Sequence, residues 1–121
     1  MARVQAARPG WCEVVPDAPP PTPVCLHEPA VEALLAEIRR KTLASWQIGP
    51  PEHGGERVIL RFRVAASGEL VEGCTLGATS PLAARTALEA LETALPVPAL
   101  GPGSACLAGA PVVWRFEIAT D

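Results

Sequence analysis

The chain has 121 residues, a formal net charge of −3 and a hydrophobic content of 49%. That length suits one domain with a small aliphatic core, since there are only two Phe and no Tyr. The charge argues against a nucleic-acid partner. No apolar run is long enough to span a membrane as a helix.

Residues 1–27 read as a Pro-rich linker or extended arm. Half of the fourteen prolines fall within the first 29 residues, centred on Pro19-Pro20-Pro21-Thr22-Pro23. Such a run favours the extended polyproline conformation and lacks an N–H donor at each Pro. This stretch has no apolar h-region, so it does not read as an ordinary secretory signal. Trp11 and Cys12 are unusual in a pure linker and suggest that part of the arm docks on the domain.

The domain is expected over residues 28–121. Val31, Leu34, Leu35, Ile38, Leu43 and Trp46 recur at helical spacing, with Pro29 in the first turn and Glu37–Lys41 as an i,i+4 pair. Gly49-Pro50-Pro51 stops this first helix, and a loop through His53-Gly54-Gly55 follows. A first strand is predicted over 57–65. Val58, Leu60, Phe62 and Val64 share one face, and Arg57, Arg61 and Arg63 share the other. The turn 66–69 needs a positive φ at Gly68. The second strand runs from Leu70 to about Gly77, and Gly73 is a candidate bulge.

Ser80 and Pro81 open the second helix as N-cap and first helical residue. Its expected stripe is Leu82, Ala84, Ala87, Leu88, Leu91, Ala94 and Leu95, ended by Pro96-Val97-Pro98. The third strand, 111–119, points Val112, Trp114, Phe116 and Ile118 inward and Val113, Arg115 and Glu117 outward. The fold class is therefore α+β, in the order α-β-β-α-β. A three-stranded antiparallel sheet of order 3-1-2 carries both helices on its apolar face. The arginines of the central strand would stand near Glu72 and Glu117. They read as a solvated face, as does the basic group Arg39, Arg40 and Lys41, because acids are interleaved with both.

Motifs for catalysis are absent: there is no phosphate loop, HExxH, nucleophile elbow or EF-hand. Glu89 and Glu92 lie on a solvated helix face. Cys12, Cys25, His27 and His53 can be drawn as a metal set, but their spacing fits no standard zinc module. The reading is of a non-enzymatic chain with no cofactor and no metal; a small enzyme or metal-binding protein is the rival from another class. Trp46 and Trp114 are assigned to the core. Four cysteines are compatible with Cys74–Cys106 and Cys12–Cys25 disulfides or with free thiols. Strand three lies at an edge of the predicted sheet, and Pro111 suits such a position. The segment Val112, Val113, Trp114, Arg115, Phe116, Glu117 and Ile118 is therefore the candidate partner-binding strand. The competing expectation is that the arm or a second copy, in a homodimer, covers it.

The order LLAEIRRKTLASW, the Pro-Pro loop with glycines, VILRFRVAASGEL, SPLAARTALEAL and PVPAL resembles the C-terminal domain of TonB and TolA proteins over about residues 29–119. It is most similar to TonB variants whose first helix ends in Trp. Ser67-Gly68 replaces the family's usual Asp-Gly turn, and Gly73-Cys74 stand where branched aliphatics are usual. TolA's cysteine pair does not transfer to Cys74 and Cys106. The resemblance implies a periplasmic protein-binding domain of an energy transducer. Its partners would be outer-membrane receptors or other envelope proteins, with inner-membrane motor proteins if a membrane anchor exists. A TolA-like envelope scaffold without force transmission is the alternative it implies.

Overall fold

The computed structural model of the protein describes residues 10–12, 19–46 and 57–117. Its elements are α1 (Pro23–Leu26), α2 (Pro29–Ser45), β1 (Arg57–Val64), β2 (Leu70–Ala78), α3 (Pro81–Thr93), a 3-10 turn (Ala105–Leu107) and β3 (Val112–Glu117). The sheet is antiparallel with order β2-β1-β3, as the sequence predicts. Ile118 and His53 lie outside the described residues.

The alternation of β1 sends Val58, Leu60, Phe62 and Val64 into the core, each at most 1% exposed. Ser80 caps α3 by accepting a hydrogen bond from the Ala83 N–H at 3.0 Å. The buried face of α3 is made of small residues: Ala83, Ala84, Ala87, Ala90 and Ala94 flank Leu91. Leu82, expected in this stripe, is exposed, and Leu88 is only half-buried. Small side chains let α3 lie close to both the sheet and α2. Gly73 serves the same approach and is not a bulge. It pairs with Phe62, and a Cβ there would stand 3.3–3.4 Å from Leu70, Leu88 and Leu91. The register shifts of β2 fall on either side of it, between Ile59/Leu60 and between Arg63/Val64 in β1 numbering. Leu91→Ala is expected to cost about 2–5 kcal/mol, because the side chain is fully buried. Urea unfolding measures this, and a near-neutral result would place the stripe away from the sheet.

Along α2, Val31, Ile38, Thr42 and Trp46 are buried, whereas Leu43 faces out. Thr42 is accommodated by donating its hydroxyl to the Ile38 carbonyl at 2.8 Å. Trp46 donates its indole N–H to Thr86 Oγ1 at 2.9 Å, which ties the end of α2 to α3. Glu37 pairs with Arg40 at 2.7 Å as well as with Lys41 at 3.7 Å. The Arg40 hydrogen bond holds the Glu37 carboxyl below its ordinary pKa.

The β1–β2 turn is clasped by the segment after α3. Val97 N–H donates to the Gly68 carbonyl and Leu100 N–H to the Ala66 carbonyl, at 2.9 and 2.8 Å. Gly68 has φ +93°, as the turn requires.

The cysteines correct two expectations. Neither Cys74–Cys106 nor Cys12–Cys25 forms; the bonds are Cys12–Cys74 and Cys25–Cys106. The reason lies in the faces of the sheet. Cys74 pairs across the ladder with Arg61, on the side away from the helices, where Cys106 does not reach. Cys25 instead joins the core. Residues 23–26 form α1 rather than an extended arm, because Thr22 Oγ1 caps the Cys25 N–H at 3.1 Å and Pro23 occupies the first turn. Cys25 is 4% exposed and belongs to the hydrophobic cluster.

Candidate functional site

β1 fixes what each edge of the sheet offers. Its residue Arg57 accepts from the Thr79 N–H through its carbonyl, and Ala65 donates to the Glu69 carbonyl, so odd-numbered residues serve the β2 side. The Val64 carbonyl accepts from the Gly109 N–H, on the β3 side. Peptide groups alternate in direction along an antiparallel strand. Even-numbered β1 residues therefore bond their opposite numbers Val112, Trp114 and Phe116. The peptide groups of Val113, Arg115 and Glu117 point away from the sheet. Among the described residues no strand lies on that side. The side chains of Val113, Arg115 and Glu117 are also exposed, Val113 at 53%.

Behind this edge β3 is held rigidly. Phe116 is buried, and Trp114 packs on Phe62 and Phe116 with ring centroids 4.7 and 5.6 Å apart. Trp46 meets Phe116 edge-on at 6.4 Å. The Arg39 guanidinium of α2 lies over the Phe116 ring at 5.0 Å and near Trp114 at 5.9 Å. Arg39 thus covers aromatic surface, a role that the sequence reading of a solvated basic face did not include.

The opposite face of the sheet also differs from expectation. Arg61 is buried, at 6% exposure, and not solvated. Its cross-strand partner Cys74 is bonded to Cys12, which brings the N-terminal arm onto this side. Glu72 answers both Arg61, at 3.2 Å, and Arg63, at 2.9 Å. A carboxylate shared between two guanidinium groups offsets part of the cost of burying Arg61, whose Nε has no partner among the described residues. Glu117 stands opposite Arg57 in the ladder.

The β2 edge is occupied by the chain itself. Trp11 forms a parallel bridge with Thr75. Thr75 N–H donates to the Gly10 carbonyl at 2.8 Å, and Cys12 N–H donates to the Thr75 carbonyl at 2.9 Å. Residues 10–12 of the arm therefore lie on β2 and not on β3. The apolar pair Trp11-Cys12 was the only sequence signal for this docking.

Both candidate metal-ligating cysteines, Cys12 and Cys25, are consumed by disulfides. Among the described residues no group of three His, Cys, Asp or Glu side chains converges. His27 instead lies 3.7 Å from Glu32 at the surface. No helix among the described residues is long and apolar enough to cross a membrane.

No family model matches the chain. No curated protein matches it either. Among solved structures it is similar to the solution structure of the Helicobacter pylori TonB C-terminal domain, residues 194–285 of that protein. The identity is 16%, the TM-score is 0.46, and the match covers 72% of this chain and 91% of the other.

Proposed function

We propose that the domain is a protein-binding module that takes an extended partner segment as a fourth strand on β3. The observation that carries this reading is the asymmetry of the edges. β2 is paired with the chain's own arm, while Val113, Arg115 and Glu117 turn their peptide groups outward with no strand beside them among the described residues. An open edge is a template for strand addition. Main-chain bonds supply affinity, and the outward Val113, Arg115 and Glu117 side chains select the partner.

The finer reading is a TonB-like energy-transducing domain of the periplasm that contacts outer-membrane receptors or other envelope proteins. The order of sequence motifs supports it. So do the two disulfides, which leave no free cysteine among the described residues. Disulfides persist in oxidising compartments such as the periplasm.

Val113→Pro tests the edge directly. Proline at this position removes an outward N–H and leaves the β1–β3 ladder intact, whereas Trp114→Pro removes a ladder bond. Peptides copying the N-terminal extended segments of outer-membrane receptors from the same bacterium serve as ligands. Amide shifts in the parent protein are expected at residues 112–117. Val113→Pro is expected to keep the parent melting curve and lose these shifts. Shifts confined to α2, α3 or residues 95–103 would show that the partner binds elsewhere.

A further inference from the structure

We infer that the β2 edge is a second strand-acceptor site, and that the segment it takes in trans is the arm of a second copy of this chain. This inference does not rest on the use of β3. The arm already pairs with this edge through an isolated parallel bridge at Trp11. It is held by the two main-chain bonds to Thr75 and by the Cys12–Cys74 disulfide, so the seat for an extended segment is formed. The seat is also selective. Gly10 has φ +83°, a backbone conformation that residues with a side chain rarely adopt. An incoming segment must therefore place glycine one residue before the residue that bridges Thr75, and cysteine one residue after it. The arm has both, in Gly10-Trp11-Cys12.

The second disulfide sets what can be exchanged. Cys25 is anchored in the core through Cys106, so only the segment ahead of it is free to change partners. Thirteen residue steps separate Cys12 from Cys25, with prolines at 16, 19, 20, 21 and 23. At the polyproline rise the ten steps from Cys12 to Thr22, ahead of α1, give a contour of up to ~30 Å, enough to reach a neighbouring molecule. Contacts made in cis and in trans are the same, so the exchange costs little beyond association. The Cys12–Cys74 bond is the latch. A dithiol transfers two electrons and two protons to the cystine, giving two thiols and a cyclic reagent disulfide. Oxidised glutathione reverses the step by two thiol–disulfide exchanges.

Two complementary variants test this. Cys12→Ser retains the Cys74 thiol on β2, and Cys74→Ser retains the Cys12 thiol on the arm. When they are mixed and oxidised with glutathione, a disulfide-linked heterodimer is expected in at least tenfold excess over either homodimer. Adding Gly10→Val to the Cys74→Ser chain is expected to reduce the heterodimer at least tenfold. Equal yields of heterodimer and homodimers, or no effect of Gly10→Val, would overturn the inference. The unmodified chain provides a test free of variants. After mild reduction and reoxidation, its non-reducing mass is expected to shift towards dimer as concentration rises. A monomer at every concentration would exclude exchange.

Discussion

Replacing Cys25 and Cys106 together by alanine is expected to destabilise the domain by about 4–5 kcal/mol. The bond closes a loop with a sequence separation of 81 residues. The chain-entropy model assigns a loop of that length about 4.5 kcal/mol. A domain of this size has on the order of 5–15 kcal/mol in total, so much of the stability is at stake. Alanine is the informative replacement because Cys25 is buried, and a serine hydroxyl there would add a desolvation cost of its own. Calorimetry is expected to show the midpoint falling on the order of 15 °C. A fall of only a few degrees would mean that the unfolded chain is already constrained by the remaining bond.

Gly68→Ala is expected to be nearly as damaging, through the folded state. A left-handed conformation costs a non-glycine residue roughly 1–2 kcal/mol. The added Cβ would also collide with the Val97 carbonyl oxygen and stand 2.9 Å from that of Pro98. Both neighbours are backbone and cannot step aside as a flexible side chain would. Overpacking of this kind typically adds about 1–3 kcal/mol, giving a total of about 2–5 kcal/mol. The Leu100–Ala66 hydrogen bond belongs to the same clasp. Hydrogen exchange at the Leu100 amide is therefore expected to rise along with the loss of stability. An unchanged denaturation midpoint would refute the tight contact between turn and clasp.

The fold was legible wherever local chemistry and periodicity agreed. Ser80-Pro81 could only open a helix, and the alternation of Val58 to Val64 could only face one way. Gly68 announced its turn. What the sequence hid were choices between partners distant in the chain. Cys74 carries no mark of whether it bonds Cys12 or Cys106, because spacing along the chain says nothing about which sheet face each thiol reaches. Arg61 and Arg57 are equivalent in the pattern. The structure tells them apart: Arg61 is buried beside Glu72, whereas Arg57 is exposed. Gly73 is ambiguous for a similar reason: glycine in a strand reports either a kink or a close neighbour, and here the neighbour is α3. The edge position of β3 was foreseeable from strand order. Which edge the arm would take was not, since it depends on a Cys12–Cys74 pairing that spacing along the chain does not single out.

The disulfides also decide how the molecule answers a mechanical load. Tension applied to the arm ahead of Cys12 passes through the sulfur atoms into Cys74, and so directly into β2. The intervening segment, a separation of 62 residues, carries none of it. At about 3.4 Å per residue, roughly 210 Å of potential slack is locked away. A partner paired along β3 would be pulled lengthwise against the ladders β2–β1 and β1–β3. Their hydrogen bonds would be loaded together in shear and not opened one at a time. The Cys12–Cys74 bond thus makes a short covalent link between the N-terminal arm and β2.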